Sequence, residues 1–595
     1  MLLTKIFSPI TRCRWFVVLM AAIVAISLTS CNPAKFKKDG DRVSQLVVRL
    51  STEPKTFNYA LSQESPNVFN FIYEGMIAEN GKTGEIEPGL AESWEISPDS
   101  KQIIFTLRAG LKWSDGQPLT ADDVIFTFND IYLNEKIPTD TRDGLRIGQS
   151  RALPTVKKLD DRRIEFTVPE PFAPLLRAAG GAAILPKHAL EEFIKTKDKD
   201  GKPRFLSTWG TDTDPQKIVS NGPYKLESYQ ATQRVTFRRN PYYWRRDEQG
   251  NSQPYIERIV WQIVEQSDTA LIQFRSGQLD IIEIRPSSFQ LLKREEKRGN
   301  FSIQNAGPDT GTIFISFNLN KGKRNGKPLV NPIKSRWFNT VAFRQAVAYG
   351  IDRQTMINNI YRGLGEPQNS PISVQSPYYL TPQEGLPTYD YNPEKAKQLL
   401  LGAGFKYNNK NQLLDADGNR VRFSLLSPAT GGRDSIGSQI KGDLEKIGIQ
   451  VDLTPLDFGA LVDKLSNTLD WECHLLAFTG STEPHSGFNI WSPDGGLHSF
   501  NQKPQSGQTP IEGREISDWE KKIGDLYIQA ARELDEAKRK AIYGETQKLA
   551  QEYLPFIHLV NPLALAAVRN NIQGVKYSAL GDYRWNVYEF KTIEN

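Results

Sequence analysis

Cysteine is nearly absent from this chain of 595 residues, which carries only Cys13, Cys31 and Cys473. The first two fall within an N-terminal segment of distinct character, so one cysteine remains in the body and an internal disulfide there is excluded. We expect Cys473 to be a small, buried, apolar side chain. A basic excess is lacking as well, because beyond residue 30 the chain has 71 basic side chains against 69 acidic ones. This balance excludes the strongly basic face that nucleic-acid binding requires.

Long apolar runs are missing except near the N-terminus. Residues 16–28 form an uncharged apolar run after three basic residues, with the length of a signal peptide and too few residues for a bilayer span. The sequence LTSC at 28–31 follows and resembles the lipobox of bacterial lipoproteins, whose cysteine is lipidated after cleavage. We therefore expect a signal peptide over 1–30, a lipid on Cys31 and a polar tether over 31–42. An uncleaved signal anchor is the alternative.

Signatures of catalysis are missing too. The chain has no G-x-S-x-G, H-E-x-x-H or P-loop sequence in the context that each requires. His474, His485 and His498 fall within 25 residues, but they lack the i,i+4 spacing of a protein metal site. We therefore expect no enzyme activity, no cofactor and no bound metal. A secreted hydrolase is kept as an alternative from another class, as is a structural lipoprotein without transport function.

Short apolar runs alternate with amphipathic stretches along the body, which indicates a mixed α/β protein of several domains. The runs at 46–50 and 103–107 predict strands. Thr120, followed three residues later by Asp123, predicts a helix start. Asn392-Pro393-Glu394 predicts a second one, because it places a capping residue, a proline at the first turn and an acid in sequence.

Ten stretches in this order resemble the extracellular solute-binding proteins of family 5, the oligopeptide-, dipeptide- and nickel-binding components of ABC importers. They are PGLAESW at 88–94, FTLR at 105–108, KWSDG at 112–116, LTADDV at 119–124, NGPY at 221–224, RNPYYW at 239–244, RQA at 344–346, IDR at 351–353, YNPEKA at 391–396 and LEKIGI at 444–449. The match covers nearly the whole chain after the N-terminal segment.

The resemblance implies a three-lobed α/β periplasmic binding protein of the type II-like, cluster C architecture, with mixed sheets and a two-strand hinge. The implied boundaries are 43–75 with 205–305 and 550–595 for lobe I, 76–204 for lobe II, and 310–549 for lobe III. Two crossings near 312–318 and 554–560 would form the hinge. Closure of lobes I and III around a ligand is the implied mechanism.

Peptide-binding members of this family hold the amino terminus of the peptide with an aspartate, in a stretch like aromatic-Gly-x-Asp-Tyr-x-Asp/Glu-Pro. The corresponding stretch here is FTGSTEP at 478–484, where Thr479 or Gly480 stands in place of the aspartate. Glu483 is a substitute carboxylate or a turn residue before proline. The predicted ligand-binding residues are Glu64, Phe478, Gly480, Ser481, Glu483, Trp491 and Asn501.

The resemblance implies the substrate-binding component of an ABC importer that captures a small peptide or peptide-like solute. A nickel chelate or another non-peptide solute is the alternative ligand. The expected partners are the ABC permease subunits and the membrane through the lipid anchor. We expect a monomer, exported to the periplasmic face of the bacterial cytoplasmic membrane, with retention at an outer membrane as the alternative.

Overall fold

The structure, a computed structural model, describes residues 43–62, 68–429, 432–504 and 508–593. The predicted signal peptide, Cys31, the tether and Glu64 lie outside these residues. The strands are β1 Gln45–Leu50, β2 Ile77–Glu79, β3 Ile86–Pro88, β4 Ala91–Ile96, β5 Gln102–Leu107, β6 Thr155–Lys158, β7 Arg163–Thr167, β8 Tyr224–Gln230, β9 Arg234–Arg239, β10 Arg258–Ile263, β11 Ile281–Glu283, β12 Phe301–Pro308, β13 Thr312–Phe317, β14 Lys323–Arg324, β15 Lys327–Pro328, β16 Gly365–Pro367, β17 Lys406–Tyr407, β18 Leu413–Leu414, β19 Arg422–Pro428, β20 Gln450–Leu456, β21 Cys473–Phe478, β22 Phe556–His558, β23 Val560–Arg569, β24 Ile572–Gln573 and β25 Lys591–Thr592.

The α-helices alternate with these strands, so the expected α/β class is confirmed. They are α1 Ala121–Ile125, α2 Thr141–Gly144, α3 Leu175–Gly180, α4 Lys187–Lys195, α5 Ser267–Arg275, α6 Pro286–Gly299, α7 Pro332–Asn339, α8 Val341–Gly350, α9 Arg353–Asn359, α10 Pro393–Gly402, α11 Arg433–Lys446, α12 Phe458–Asp463, α13 Phe488–Trp491, α14 Asp518–Arg532 and α15 Glu536–Tyr553. No helix among the described residues combines the length and apolar character needed to cross a bilayer.

Local sequence signals place several of these elements where they were predicted. The runs at 46–50 and 103–107 lie in β1 and β5. At the start of α1, the Asp123 carboxylate accepts a hydrogen bond from the Thr120 backbone N–H at 2.9 Å, as a capping box requires. Asn392 caps α10 by accepting from the Lys395 N–H at 2.9 Å. These caps satisfy N–H groups that the first turn of a helix leaves without partners.

Two large mixed sheets form the frame of the molecule. An eight-stranded sheet has the order β12-β23-β11-β1-β10-β9-β8, with β16 paired to β23, and a five-stranded sheet has the order β20-β19-β21-β13-β22. The chain passes from the first sheet to the second between β12 and β13 and returns between β22 and β23, and between β13 and β19 it also reaches the first sheet through β16. Since β13 and β22 are antiparallel neighbours, the two crossings lie side by side.

A smaller four-stranded sheet, β4-β5-β7-β6, comes from residues within the predicted lobe II. Its buried side chains belong to the same hydrophobic cluster as those of β1, β8, β9 and β10. A second large cluster contains residues between 313 and 560, around the five-stranded sheet. The lobe boundaries themselves stay a prediction. The two large cores are connected by the two neighbouring crossings, by the pairing of β16 with β23 and by Ala531, which belongs to the first cluster.

Buried arginines hold the helices of the second core against the crossing strands. Arg353 donates to the carbonyl of His558 in β22 at 2.8 Å, and also to the carbonyls of Ala348 at 2.9 Å and Tyr389 at 3.0 Å. These bonds satisfy carbonyls that would otherwise be buried without partners. The IDR stretch of the resemblance therefore includes a scaffold residue that fixes β22 in position.

Candidate functional site

A cavity lies against the two crossings, where β13, β21 and β22 run side by side. Its volume is about 60 Å³, which is room for a few water molecules. Thr312 and Phe314 of β13 contribute to its wall, as do Phe556 and His558 of β22. Side chains two residues apart on a strand point to the same face, so each strand presents one face to the cavity. The cavity is therefore built on the strands that join the two sheets.

The loop after β21 forms a second wall and depends on a glycine. Phe478 ends β21 opposite Thr312, and Thr479, Gly480 and Ser481 continue along the cavity. A Cβ atom at Gly480 would lie 1.7 Å from the Thr310 carbonyl oxygen, far inside van der Waals contact. Glycine is required here because only a residue without a side chain lets the two backbones approach so closely.

Aromatic rings cover much of the cavity wall, and they pack against one another. The Phe314 ring centroid lies 4.8 Å from that of Phe478 and 4.6 Å from that of Phe556. Trp491 is 4% exposed and stacks on Tyr527 at 6.3 Å with an interplanar angle of 17°. Burial raises the pKa of Tyr527, so its phenol stays protonated and can donate a hydrogen bond.

The polar part of the wall consists of hydroxyl groups and one histidine. Burial, together with the smaller effect of the nearby Arg353 charge, lowers the pKa of His558 to about 3, so the imidazole is neutral at pH 7. Besides Tyr527, the hydroxyl-bearing side chains are Thr310, Thr312, Ser373, Thr479, Ser481 and Ser486. Such groups donate and accept hydrogen bonds without carrying charge.

Glu483 lies outside the cavity wall, and its carboxylate is paired with an arginine. Its carboxylate forms an ion pair with Arg539 of α15 at 2.7 Å and accepts from the backbone N–H of His485 at 3.0 Å. The side chains of both ion-pair members are buried, at 10% and 4% exposure. Arg539 also bonds to the hydroxyl of Tyr378. In this structure Glu483 therefore connects the loop to α15. The sequence analysis left Glu483 as either a ligand carboxylate or a turn residue before proline, and its bond from the His485 N–H has the geometry of the second.

Asn501 also lies away from the cavity. Its side-chain amide donates to the Glu515 carbonyl and to the Glu520 carboxylate, both at 2.8 Å. The same carboxylate accepts from His498 at 3.1 Å. Phe478, Gly480, Ser481 and Trp491 are thus the predicted residues that the cavity brings together. The role of these four residues in binding stays a prediction.

Several cavity residues were not predicted from the sequence. They are Thr310, Thr312, Phe314, Ser373, Tyr527, Phe556 and His558. A signal existed for four of them, because both crossings were predicted near 312–318 and 554–560, and alternate residues of crossing strands share a face. Tyr527 and Ser373 arrive from distant segments with no local pattern that marks them.

The three histidines of the sequence prediction have separate surroundings. His474 packs in β21 between Phe314 and Trp471. His485 stacks on Phe488 at 5.3 Å, and His498 pairs with Glu520. Among the described residues, no group of three or more His, Cys, Asp or Glu is placed to hold a metal ion.

One side of the cavity region is closed by contacts between the segments 76–204 and 310–549. Arg532 and Glu170 form a two-point ion pair at 2.8 and 2.6 Å. The Ala173 N–H donates to the Ala531 carbonyl at 2.7 Å. Thr482, next to the cavity loop, donates to Glu79 at 2.9 Å. Through these polar contacts, segment 76–204, which contains the four-stranded sheet, lies next to the loop after β21.

Two sheets joined by paired crossings, with a cavity at the junction, define a binding protein of the periplasmic type. Comparison with known proteins agrees. The profile of bacterial extracellular solute-binding proteins, family 5 Middle, matches residues 85–497. The chain belongs to this family, as its motifs predicted.

Individual relatives extend along nearly the whole chain. A probable ABC transporter-binding protein of Deinococcus radiodurans is 29% identical over 542 residues, covering 87% of both chains. The dipeptide-binding protein of Escherichia coli K12 is 25% identical and covers 91% of this chain and 95% of its own length. The solved structure of the oligopeptide-binding protein AppA from Bacillus subtilis, in complex with a nonapeptide, has a TM-score of 0.74 at 22% identity. It covers 92% of this chain and 99% of that one.

Proposed function

We propose that this chain captures a peptide or peptide-like solute and delivers it to the permease of an ABC importer. The observation that carries the proposal is the cavity on β13 and β22, bounded by hydroxyl groups and aromatic rings. Such a mixture of apolar surface and a few polar groups is typical of small-ligand sites. The names of the relatives support a peptide ligand, since they include a dipeptide-binding protein.

Capture requires that the protein open. A cavity of about 60 Å³ is far below the roughly 300–1,000 Å³ of ordinary ligand pockets. We propose that the predicted lobes I and III rotate relative to each other about the two crossings. Lobe II would move together with lobe I, and polar contacts between lobes II and III, such as Arg532 with Glu170, would break. A ligand that binds the closed form more tightly shifts the protein towards it.

We further propose export and anchoring through a lipid on Cys31, with a monomer as the functional unit.

We also propose that the protein releases its ligand chemically unchanged. Among the described cavity residues, His558 is the one group with the chemistry of a general base, and with a pKa of about 3 it is poorly matched to that task at neutral pH. Incubation with peptides should therefore show no turnover; hydrolysis would contradict this part.

Mass spectrometry under native conditions is the direct test of the function. We expect a peptide-like molecule to remain bound through purification. Adding a ligand at about 100 times its Kd should stabilise the fold by about 2.7 kcal/mol, measured as a rise in Tm. If peptide, chelate and sugar libraries all leave the Tm unchanged, the structural-lipoprotein alternative is favoured.

Truncation of Phe478 should weaken ligand binding. The ring is half-buried in the cavity wall, so Phe478→Ala removes apolar contact with the ligand, and we expect about tenfold lower affinity by calorimetry. Trp519→Ala is the matched control, because Trp519 is also half-buried but stacks on Tyr553 outside the cavity lining. Equal affinity losses in both variants would contradict this site.

A further inference from the structure

The charge of the cavity wall constrains which ligand chemistry it accepts. The described residues of the lining consist of hydroxyl, aromatic, aliphatic and glycine positions together with the neutral His558. Amide and hydroxyl groups of a ligand find both donors and acceptors there. An ammonium or carboxylate would leave water for a wall that offers no opposite full charge, which is strongly unfavourable for a buried ion.

Two carboxylates near the cavity already have cationic partners. Glu483 is paired with Arg539 at 2.7 Å, and Glu79 with Arg177 at 2.9 Å. A ligand ammonium would have to displace Arg539 from a buried pair or leave that guanidinium unpaired. Removing one member of such a pair is strongly unfavourable, so Glu483 is not available to an incoming amine.

The aromatic rings do not replace a carboxylate either. A cation is attracted to the open face of a ring, but several rings of this wall pack against one another. Trp491 and Tyr527 stack on each other, and Phe314 packs against both Phe478 and Phe556. The wall therefore favours apolar and uncharged polar groups.

We propose that the part of the ligand held in this cavity is uncharged, so that among peptides the chain selects those with a blocked amino terminus. This inference rests on the proposed function for its peptide form. The hydroxyl groups of the wall can bond to neutral amides of the ligand. Because Glu483 is already paired with Arg539, a free amine finds no carboxylate partner there.

The experiment compares a tripeptide amide with a free amino terminus and its N-acetylated counterpart. By calorimetry at pH 7 we expect the acetylated peptide to bind at least tenfold more tightly. Thr479→Asp should reverse this order, because Thr479 is exposed at the cavity and an aspartate there supplies the missing countercharge. Thr479→Asn, of the same size but neutral, is the matched control and should keep the native preference.

Tighter binding of the free amine by the native protein would overturn the inference, as would identical responses of the Asp and Asn variants to that amine. If neither peptide binds, the proposed peptide function fails. The inference of an uncharged ligand is then tested by identifying the molecule that stays bound through native purification. An uncharged molecule by mass spectrometry would support the neutral cavity for a different solute. A cationic or anionic molecule would refute it.

Discussion

Lowering the pH from 7 to 5 is expected to reduce the free energy of unfolding by about 2 kcal/mol for each of three buried histidines. His474, His485 and His558 are 0%, 5% and 3% exposed. Together they would remove about 6 kcal/mol, which is comparable to the whole stability of many domains. Denaturant unfolding at pH 7, 6 and 5 measures this loss.

The sign follows from where each histidine holds a proton. Burial lowers the pKa of all three to about 3 in the folded protein, against 6.5 for the ordinary group. Between those values the unfolded chain binds a proton that the folded chain does not. Stability is therefore fully present above pH 6.5 and falls by about 1.4 kcal/mol per histidine per pH unit as the pH decreases.

His474→Leu isolates one of these contributions. Both ring nitrogens of His474 are buried without a hydrogen-bond partner among the described residues. The variant should flatten the dependence of unfolding free energy on pH by about 1.4 kcal/mol per unit between pH 4 and 6. Phe314→Leu, which alters the ring packed against His474 but removes no titrating group, should lower stability and keep the slope. An unchanged slope in His474→Leu would show that the folded protein already binds this proton.

Local signals explain why much of the fold could be predicted. Thr120 and Asn392 start helices because their side chains accept from backbone N–H groups within three residues of themselves, so the information lies in adjacent positions. The Trp113–Gly116 turn is equally local, with Gly116 at a φ of +90° and its N–H bonded to the Trp113 carbonyl at 2.9 Å. The family motifs contain such capping and turn signals in a fixed order along the chain, which is why they predicted the fold.

The candidate site was less predictable because its residues are joined by tertiary contacts. The position of Glu483 in the loop after β21 suggested a ligand carboxylate, but the side chain pairs with Arg539, which is 56 positions away. Asn501 likewise turns to Glu520, 19 positions away. No local pattern tells whether a carboxylate or amide meets a ligand or a partner from another helix. That choice is decided by packing of α14 and α15.

The strongest test of this distinction is Glu483→Gln. Because the carboxylate is buried against Arg539, its neutralisation leaves a buried guanidinium without its countercharge, and we expect about 3–5 kcal/mol loss of stability in denaturant unfolding. Ligand affinity of the folded protein should stay within about twofold, since Glu483 does not line the cavity. Glu170→Gln breaks the exposed pair with Arg532 and, as a control, should cost no more than about 1 kcal/mol.

Removing both charges separates an ion pair from a ligand contact. The double variant Glu483→Gln with Arg539→Met leaves no unpaired buried charge, so it should lose less stability than the two single variants added together. The opposite pattern is a carboxylate that faces the ligand: Glu483→Gln would then keep its stability and lose affinity for a free amine. That result would make Glu483 the substitute for the missing aspartate and would refute the neutral cavity, because one carboxylate cannot be neutralised by Arg539 and remain available to a ligand ammonium.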